Sequence, residues 1–305
     1  MPLRLDRADP DFETRFAAFL ATKRETSEDV DMAVRDIIAR VRAEGDRALV
    51  DYTLRFDGLD LVAAGIRISE AEIEAATAAV DGETLKALEL AKAHPGRLFA
   101  TAGVHPHHAL EYTDEADAQL RALQAHAQVV AVGECGLDYF RDFSPRHAQQ
   151  RAFERQLQIG ADTGKPLFLH QRDAHADFMA VMHGFRDQLG PVVVHCFTDT
   201  REALFDYLDQ DWYIGITGWL CDERRGGHLR ELVRHIPAER LLVETDSPYL
   251  MPRTVRPRPS HRRNEPMYLA HIVEELARDR GEAVGETATI TTANACRFFG
   301  LDPVP

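Results

Sequence analysis

The chain has 305 residues, 45% of them hydrophobic, which suits one large α/β domain or one such domain with an extension. A formal charge of −14 excludes a protein that coats duplex DNA by wholesale phosphate neutralisation and leaves room only for a local cationic site. No apolar run approaches the roughly 20 residues that span a bilayer, so no membrane partner is expected. The opening stretch Met1–Asp6 lacks a signal-peptide core, and four scattered cysteines (Cys135, Cys196, Cys221, Cys296) fit a reduced, cytoplasmic enzyme.

Residues 1–85 predict a mainly helical segment. Val30, Val34, Ile37, Ile38 and Val41 recur at helical spacing. Arg47 to Phe56 predicts a second helix stopped by Asp57-Gly58, and Ser69-Glu70-Ala71-Glu72 is a capping box opening another. Strand candidates are weak here, Leu3–Leu5 and Ile66–Ile68. No histidine or cysteine precedes His94, so the segment reads as an accessory or assembly element without chemistry of its own.

From about Leu98 the grammar changes to strand, then helix. Strands are predicted to begin near Leu98, Val129, Leu167, Val192, Trp212 and Leu241, and each interval has room for a strand, a crossover helix and two loops. Ser144-Pro145 predicts a helix start with Ser144 as N-cap, and Asp199 with Glu202 has capping-box spacing. The expected fold of residues 86–305 is α/β, TIM-barrel-like, with six βα units where a complete barrel has eight. An unclosed parallel sheet exposes two edges, so a covering by the leading segment, a second copy or poor stability is expected.

Four of these runs end in a side chain suited to metals. They are Val129–Glu134, Pro166–His170, Val192–His195 and Leu241–Asp246. Short runs so apolar are the mark of parallel strands buried on both faces. Active sites in such scaffolds lie at the carboxyl ends of the strands, where Glu134, His170, His195 and Asp246 would converge on one cation. Mixed carboxylate and imidazole ligands suit a divalent metal, Mg²⁺ first, with Mn²⁺ or Zn²⁺ as alternatives, and the lack of thiolates argues against structural zinc. Cys135 and Cys196, each one residue past a candidate ligand, should face the core. Glu244 lies two residues before Asp246 and is either a catalytic residue or an ion-pair partner. His105 should reach the site rim as a phosphate contact, whereas His107 and His108 read as solvated loop residues. Asp138 either orients a neighbour or caps a loop.

The stretch Arg253–Arg263 is cationic and stiffened by Pro257 and Pro259. It is either a solvated surface or a clamp in which Arg256, Arg258, Arg262 and Arg263 hold substrate phosphates. Trp219 either stacks on a base or packs at the rim.

Several words in one register, Gly103-Val104-His105-Pro106-His107, Gly133–Tyr139, Leu169–Ala174, His195–Thr198, Ile214–Trp219, Glu244–Leu250, Arg262–Pro266 and Phe298–Leu301, resemble the TatD family of metal-dependent nucleases. The resemblance covers about 83–301. It implies that Glu134, His170 and His195 bind the metal while Asp246 completes the shell or acts as general base. It also implies a 3′-5′ exonuclease acting on ends of single-stranded DNA or RNA. Alternatives are a same-fold hydrolase of another ester, such as a D-aminoacyl-tRNA, and a catalytically impaired fusion protein. Residues 1–85 resemble the start of histidinol dehydrogenase, through Arg4-Leu5-Asp6, Asp9–Phe12, Lys23–Glu25, Gly45–Leu49 and Tyr52–Asp57. That similarity ends before the catalytic and zinc-binding regions of that enzyme and brings no dehydrogenase chemistry. The chain resembles a fusion in which this segment replaces the first two βα units.

Overall fold

In the computed structural model, which describes residues 36–57 and 86–302, the six apolar runs predicted from Leu98 onward all become strands. They are β1 (Ala100–Ala102), β2 (Val129–Asp138), β3 (Leu167–Arg172), β4 (Val192–Val194), β5 (Tyr213–Ile216) and β6 (Leu241–Val243). The sheet order follows the sequence, and every neighbouring pair is parallel. This is TIM-barrel-type winding, in which each crossover returns the chain to the next strand in the same direction. The central strands are covered on both faces, which is why β4 reads Val-Val-Val and β5 is buried throughout.

The helices that cover the sheet are α2 (Asp114–Gln124), α3 (Arg146–Thr163), α4 (His175–His183), α5 (Arg201–Asp209), α6 (Leu269–Arg280) and α7 (Val284–Phe299). They belong to the second of two compact units, Met1–Asp81 and Gly82–Pro305. In the first unit, residues 36–44 are helical and α1 spans Asp46–Asp57, ending where Asp57-Gly58 was expected to stop it. The remaining sequence expectations for that unit lie outside the described residues.

Two helix starts differ from expectation. Ser144 does not cap α3; Pro145 takes the cap position, and the Ser144 hydroxyl donates instead to the His107 carbonyl at 2.9 Å. Thr200, not Asp199, caps α5 by accepting the Ala203 N–H, and Asp199 sits one residue earlier, accepting the Thr200 N–H. In both cases a neighbouring residue offers the better-placed oxygen or backbone angle.

Strand β2 also runs further than its apolar stretch, through Glu134 to Asp138. Gly133 (φ 144) and Gly136 (φ 146) make this possible: a β-carbon at either would run into the backbone of β3. The pairing register shifts between Gly133 and Cys135. Glu134 therefore lies inside an irregular strand rather than at its end. Buried glutamines hold this region by serving backbone groups. Gln156 of α3 accepts the Val104 N–H and donates to its carbonyl, and Gln149 does the same for Asp138. Among the described residues no helix is long and apolar enough to cross a membrane.

Candidate metal centre

One carboxylate oxygen is the focus of the site. Glu134 Oε1 lies 2.7 Å from His195 Nε2, 2.8 Å from His170 Nδ1 and 3.3 Å from His105 Nε2. Strands β2 and β3 supply Glu134 and His170 directly, and His195 is the first residue past β4. His105 precedes a 3-10 turn, Pro106–Glu111, and its Nδ1 accepts the His107 N–H at 3.1 Å. With Nδ1 an acceptor, Nε2 carries the ring proton and points it at Glu134.

Each metal-grade imidazole is gripped on its far side by a second carboxylate. His170 Nε2 meets Asp138 Oδ2 at 3.2 Å, and His195 Nδ1 faces Glu244 Oε2 at 3.5 Å. Asp138 is 1% exposed; it also takes His107 Nε2 at 2.8 Å and accepts the N–H groups of Phe140 and Arg141. Both sequence readings of Asp138 therefore hold, since it orients a neighbour and caps the following loop. His107 is not a solvated loop residue, because that buried carboxylate draws it in. Glu244 Oε1 accepts the Cys196 N–H at 2.6 Å and occupies the space that a side chain on Gly215 would need.

Charge follows this arrangement. Burial opposes ionisation of Glu134, but the His195 charge and hydrogen bonds from the three imidazoles hold its carboxyl well below the usual range. Burial likewise opposes protonation of His195, yet Glu134 and Glu244 hold its ring well above its ordinary pKa. His170 is raised against its burial by Asp138 and Glu134. Asp138, again despite burial, is held far below its usual range by His170, the Arg141 N–H and His107. Asp246 goes the other way: burial, then Glu134 and Glu244, push its carboxyl up against the pull of His195 and His170.

The sequence-predicted residues thus fall into three groups. Glu134, His170 and His195 come together, with His105 joining them and Glu244 bonded behind His195. Asp246 makes no direct hydrogen bond to the imidazoles but is buried close enough to feel their charge. It adopts φ 59, as Cys196 (φ 49) and Asp173 (φ 53) adopt left-handed angles, all just past strand ends. Such backbone strain concentrates where side chains are held for function. Cys135 is fully buried in the core as expected, while Cys196 is partly exposed, its Sγ 3.4 Å from Thr217 Oγ1.

The third group is the arginines. Arg258 and Arg262 line an open cleft of about 690 Å³ with Trp219, Asp222, Arg224 and Arg225. Arg256 and Arg263 do not line it, and the Arg256 guanidinium instead donates to the carbonyls of Arg253 and Val255. Sequence reasoning missed Arg224 and Arg225, although they stand five and six residues past Trp219. Buried Asp222 organises them: it accepts the Arg224 N–H at 3.0 Å and two N–H groups of Arg225 at 3.1 and 3.0 Å.

The donor set fits a divalent cation. Glu134 and His170 each offer a ligand atom, with a His105 ring nitrogen also within 4.8 Å of them, and a further buried donor, His195, meets the same carboxylate oxygen. A parallel, barrel-type sheet with such a cluster at its mouth defines a metal-dependent hydrolase. The family model "TatD related DNase" matches residues 23–300. A protein of Erwinia tasmaniensis named 3′-5′ ssDNA/RNA exonuclease TatD is 51% identical over 219 residues, covering 72% of this chain and 85% of its own. One of the same name from Pantoea vagans is 51% identical over 219 residues, covering 72% of this chain and 84% of its own. Among solved structures, the TatD homologue YJJV of Escherichia coli superposes with TM-score 0.64 at 27% identity, covering 72% of this chain and 82% of that one. A TatD-family hydrolase of Entamoeba histolytica gives TM-score 0.62 at 26% identity, covering 73% and 82%. The chain belongs to the family of TatD-related DNases, and is an enzyme of that metal-dependent nuclease class.

Proposed function

We propose that the chain is a cytoplasmic 3′-5′ exonuclease that hydrolyses phosphodiester bonds at the ends of single-stranded DNA or RNA, with Mg²⁺ as its working metal. The observation that carries this reading is the convergence of three imidazoles on one carboxylate oxygen, Glu134 Oε1. The names of the curated relatives support the polarity and the substrate.

In this reading Glu134, His170 and His195 would hold the cation. When bound, a divalent cation polarises the phosphoryl group and makes water acidic enough to deprotonate near neutrality. Asp246 takes the proton of the attacking water, and its raised pKa makes it the stronger base for that step. Asp138 and Glu244 fix the rings of His170 and His195 from behind. His105 turns its Nε2 proton into the site, where it can donate to a phosphoryl oxygen. Arg258 and Arg262, with Arg224 and Arg225, bind phosphates further along the strand. Arg256 and Arg263 contribute charge outside that cleft. Residues 86–305 form the hydrolase domain, and residues 1–85, with their likeness to the start of histidinol dehydrogenase, form an accessory segment.

The test is an oligonucleotide labelled at its 5′ end, incubated with the protein and Mg²⁺. Progressive shortening from the 3′ end is expected, abolished by EDTA and by Glu134→Ala or His195→Ala. A protein that binds metal but leaves the strand intact overturns the reading and favours the impaired fusion.

A further inference from the structure

Guanidinium groups and aromatic rings alternate in a row across the mouth. Arg225 Cζ lies 4.4 Å from the centre of the Trp219 ring. Arg172 Cζ lies 5.9 Å from Trp219 on one side and 4.1 Å from Phe140 on the other. Arg141 Cζ then lies 5.7 Å from Phe140. The row Arg225–Trp219–Arg172–Phe140–Arg141 is built from three separate elements. Trp219 is three residues past β5, Arg172 closes β3, and Phe140 is two past β2.

Two features separate this row from ordinary surface pairing. Phe140 is 55% exposed and Phe143 is 65% exposed, so the loop after β2 holds two phenyl rings in water, where they add little to the core. That loop is also not free to bury them, because the N–H groups of Phe140 and Arg141 are tied to the buried carboxylate of Asp138. The rings lead directly to the cluster: Phe143 lies 4.8 Å from the His107 ring, and His107 lies 4.2 Å from the His105 ring.

We propose that this row is the base-stacking track for the single-stranded substrate, a role that rests on the nuclease reading above. Nucleobases take the faces of Phe140 and Trp219, which every base can do because every base has a π face. Arg172, which lies against both rings in the free protein, turns to the phosphates between the bases, while Arg225, held by Asp222 through two N–H groups, offers its remaining N–H groups to a phosphate beside Trp219. Arg172 is the central member, since it alone lies against both rings.

The test is anisotropy of a fluorescent single strand bound to the protein in EDTA, so that nothing is cut. Two strands of equal length are compared, one of deoxyadenosines and one of abasic residues with the same phosphates. Wild type is expected to bind the base-bearing strand about thirtyfold more tightly, the low end for two stacked bases. Phe140→Ala and Trp219→Ala each shrink that preference and leave abasic binding in place. Phe140→Leu, which keeps the apolar volume without a π face, behaves like Phe140→Ala, and Phe140→Tyr retains the preference. Equal binding of both strands by wild type overturns the track, as does a Phe140→Leu that weakens both strands alike. Failure of the nuclease reading looks different: a 5′-labelled strand stays intact with Mg²⁺ although the preference for bases is present.

Discussion

At the scale of single residues, the proposed site divides into groups that would hold a metal and groups that hold those groups. Glu244 is the clearest of the second kind, since its carboxylate meets both the His195 ring and the Cys196 N–H. Glu244→Gln keeps the shape and the hydrogen bond but removes the charge behind His195. Calorimetric titration with Mn²⁺ is expected to show affinity lower by about 10- to 100-fold, the usual cost of losing such a partner. His105 should divide differently. Its Nδ1 is engaged by the His107 N–H, so His105→Ala is expected to lower kcat by roughly 100-fold or more while metal affinity changes little. Loss of metal binding in His105→Ala would instead make it a ligand. Protons compete with the metal in the same place. His170 and His195 are raised above the ordinary imidazole value, so in the metal-free protein they stabilise the fold fully below about pH 6.5, and this is lost as pH rises through their folded values. A metal held by the proposed ligands would need the same nitrogens unprotonated. Thermal unfolding in EDTA should therefore show the histidine contribution fading towards alkaline pH, while metal affinity rises over the same range and binding releases protons. Metal affinity that is flat with pH would contradict this.

At the scale of elements, two glycines carry opposite consequences. Gly133 bends β2 with φ 144, and a β-carbon there meets the Phe168 backbone, which cannot step aside. Gly133→Ala is expected to cost on the order of 3 kcal/mol, a fall in Tm of roughly 6–12 °C, whatever metal is present. A β-carbon on Gly215 of β5 meets chiefly the end of a side chain, the Glu244 carboxylate. Gly215→Ala should leave Tm within a few degrees and weaken metal binding much as Glu244→Gln does. Equal effects of the two substitutions on Tm would refute this account. The same contrast explains what could be read in advance. Burial on both faces writes a continuous apolar run, so Val129, Leu167, Val192 and Leu241 mark the first residues of their strands as predicted, and Tyr213 is one residue from its predicted start. Where polar residues take over, the pattern is silent. The extension of β2 to Asp138 rests on two glycines and a register shift, and the caps of α3 and α5 rest on which nearby oxygen is best aimed. Glu134, His170 and His195 were legible because each terminates an apolar run. The roles of His107, Arg172, Arg224 and Arg225 were not, because a contact across the mouth leaves no periodicity.

At the scale of the whole molecule, a protein of charge −14 that acts on a polyanion, as proposed, has to meet it through a local cationic cleft. In 0.1 M salt a charge is felt over about 10 Å, so a strand bound in the cleft as proposed would meet Arg224, Arg225, Arg258 and Arg262 while most of the acidic surface is screened. At 0.01 M the range grows to about 30 Å, and repulsion by the rest of the protein offsets part of the gain from the arginines. A plot of log affinity for a single strand against log salt should therefore be steep above roughly 0.1 M and flatten below it, unlike the uniform slope of a basic binder. The arginines can then be told apart. Each phosphate neutralised contributes about −0.7 to the slope on single strands, so Arg258→Ala with Arg262→Ala should make it shallower by about 1.4. Arg256, whose guanidinium is already committed to the carbonyls of Arg253 and Val255, should change the slope by much less when replaced with alanine. If Arg256→Ala matches either cleft arginine, the strand is held by the diffuse charge of the whole loop and not by the cleft.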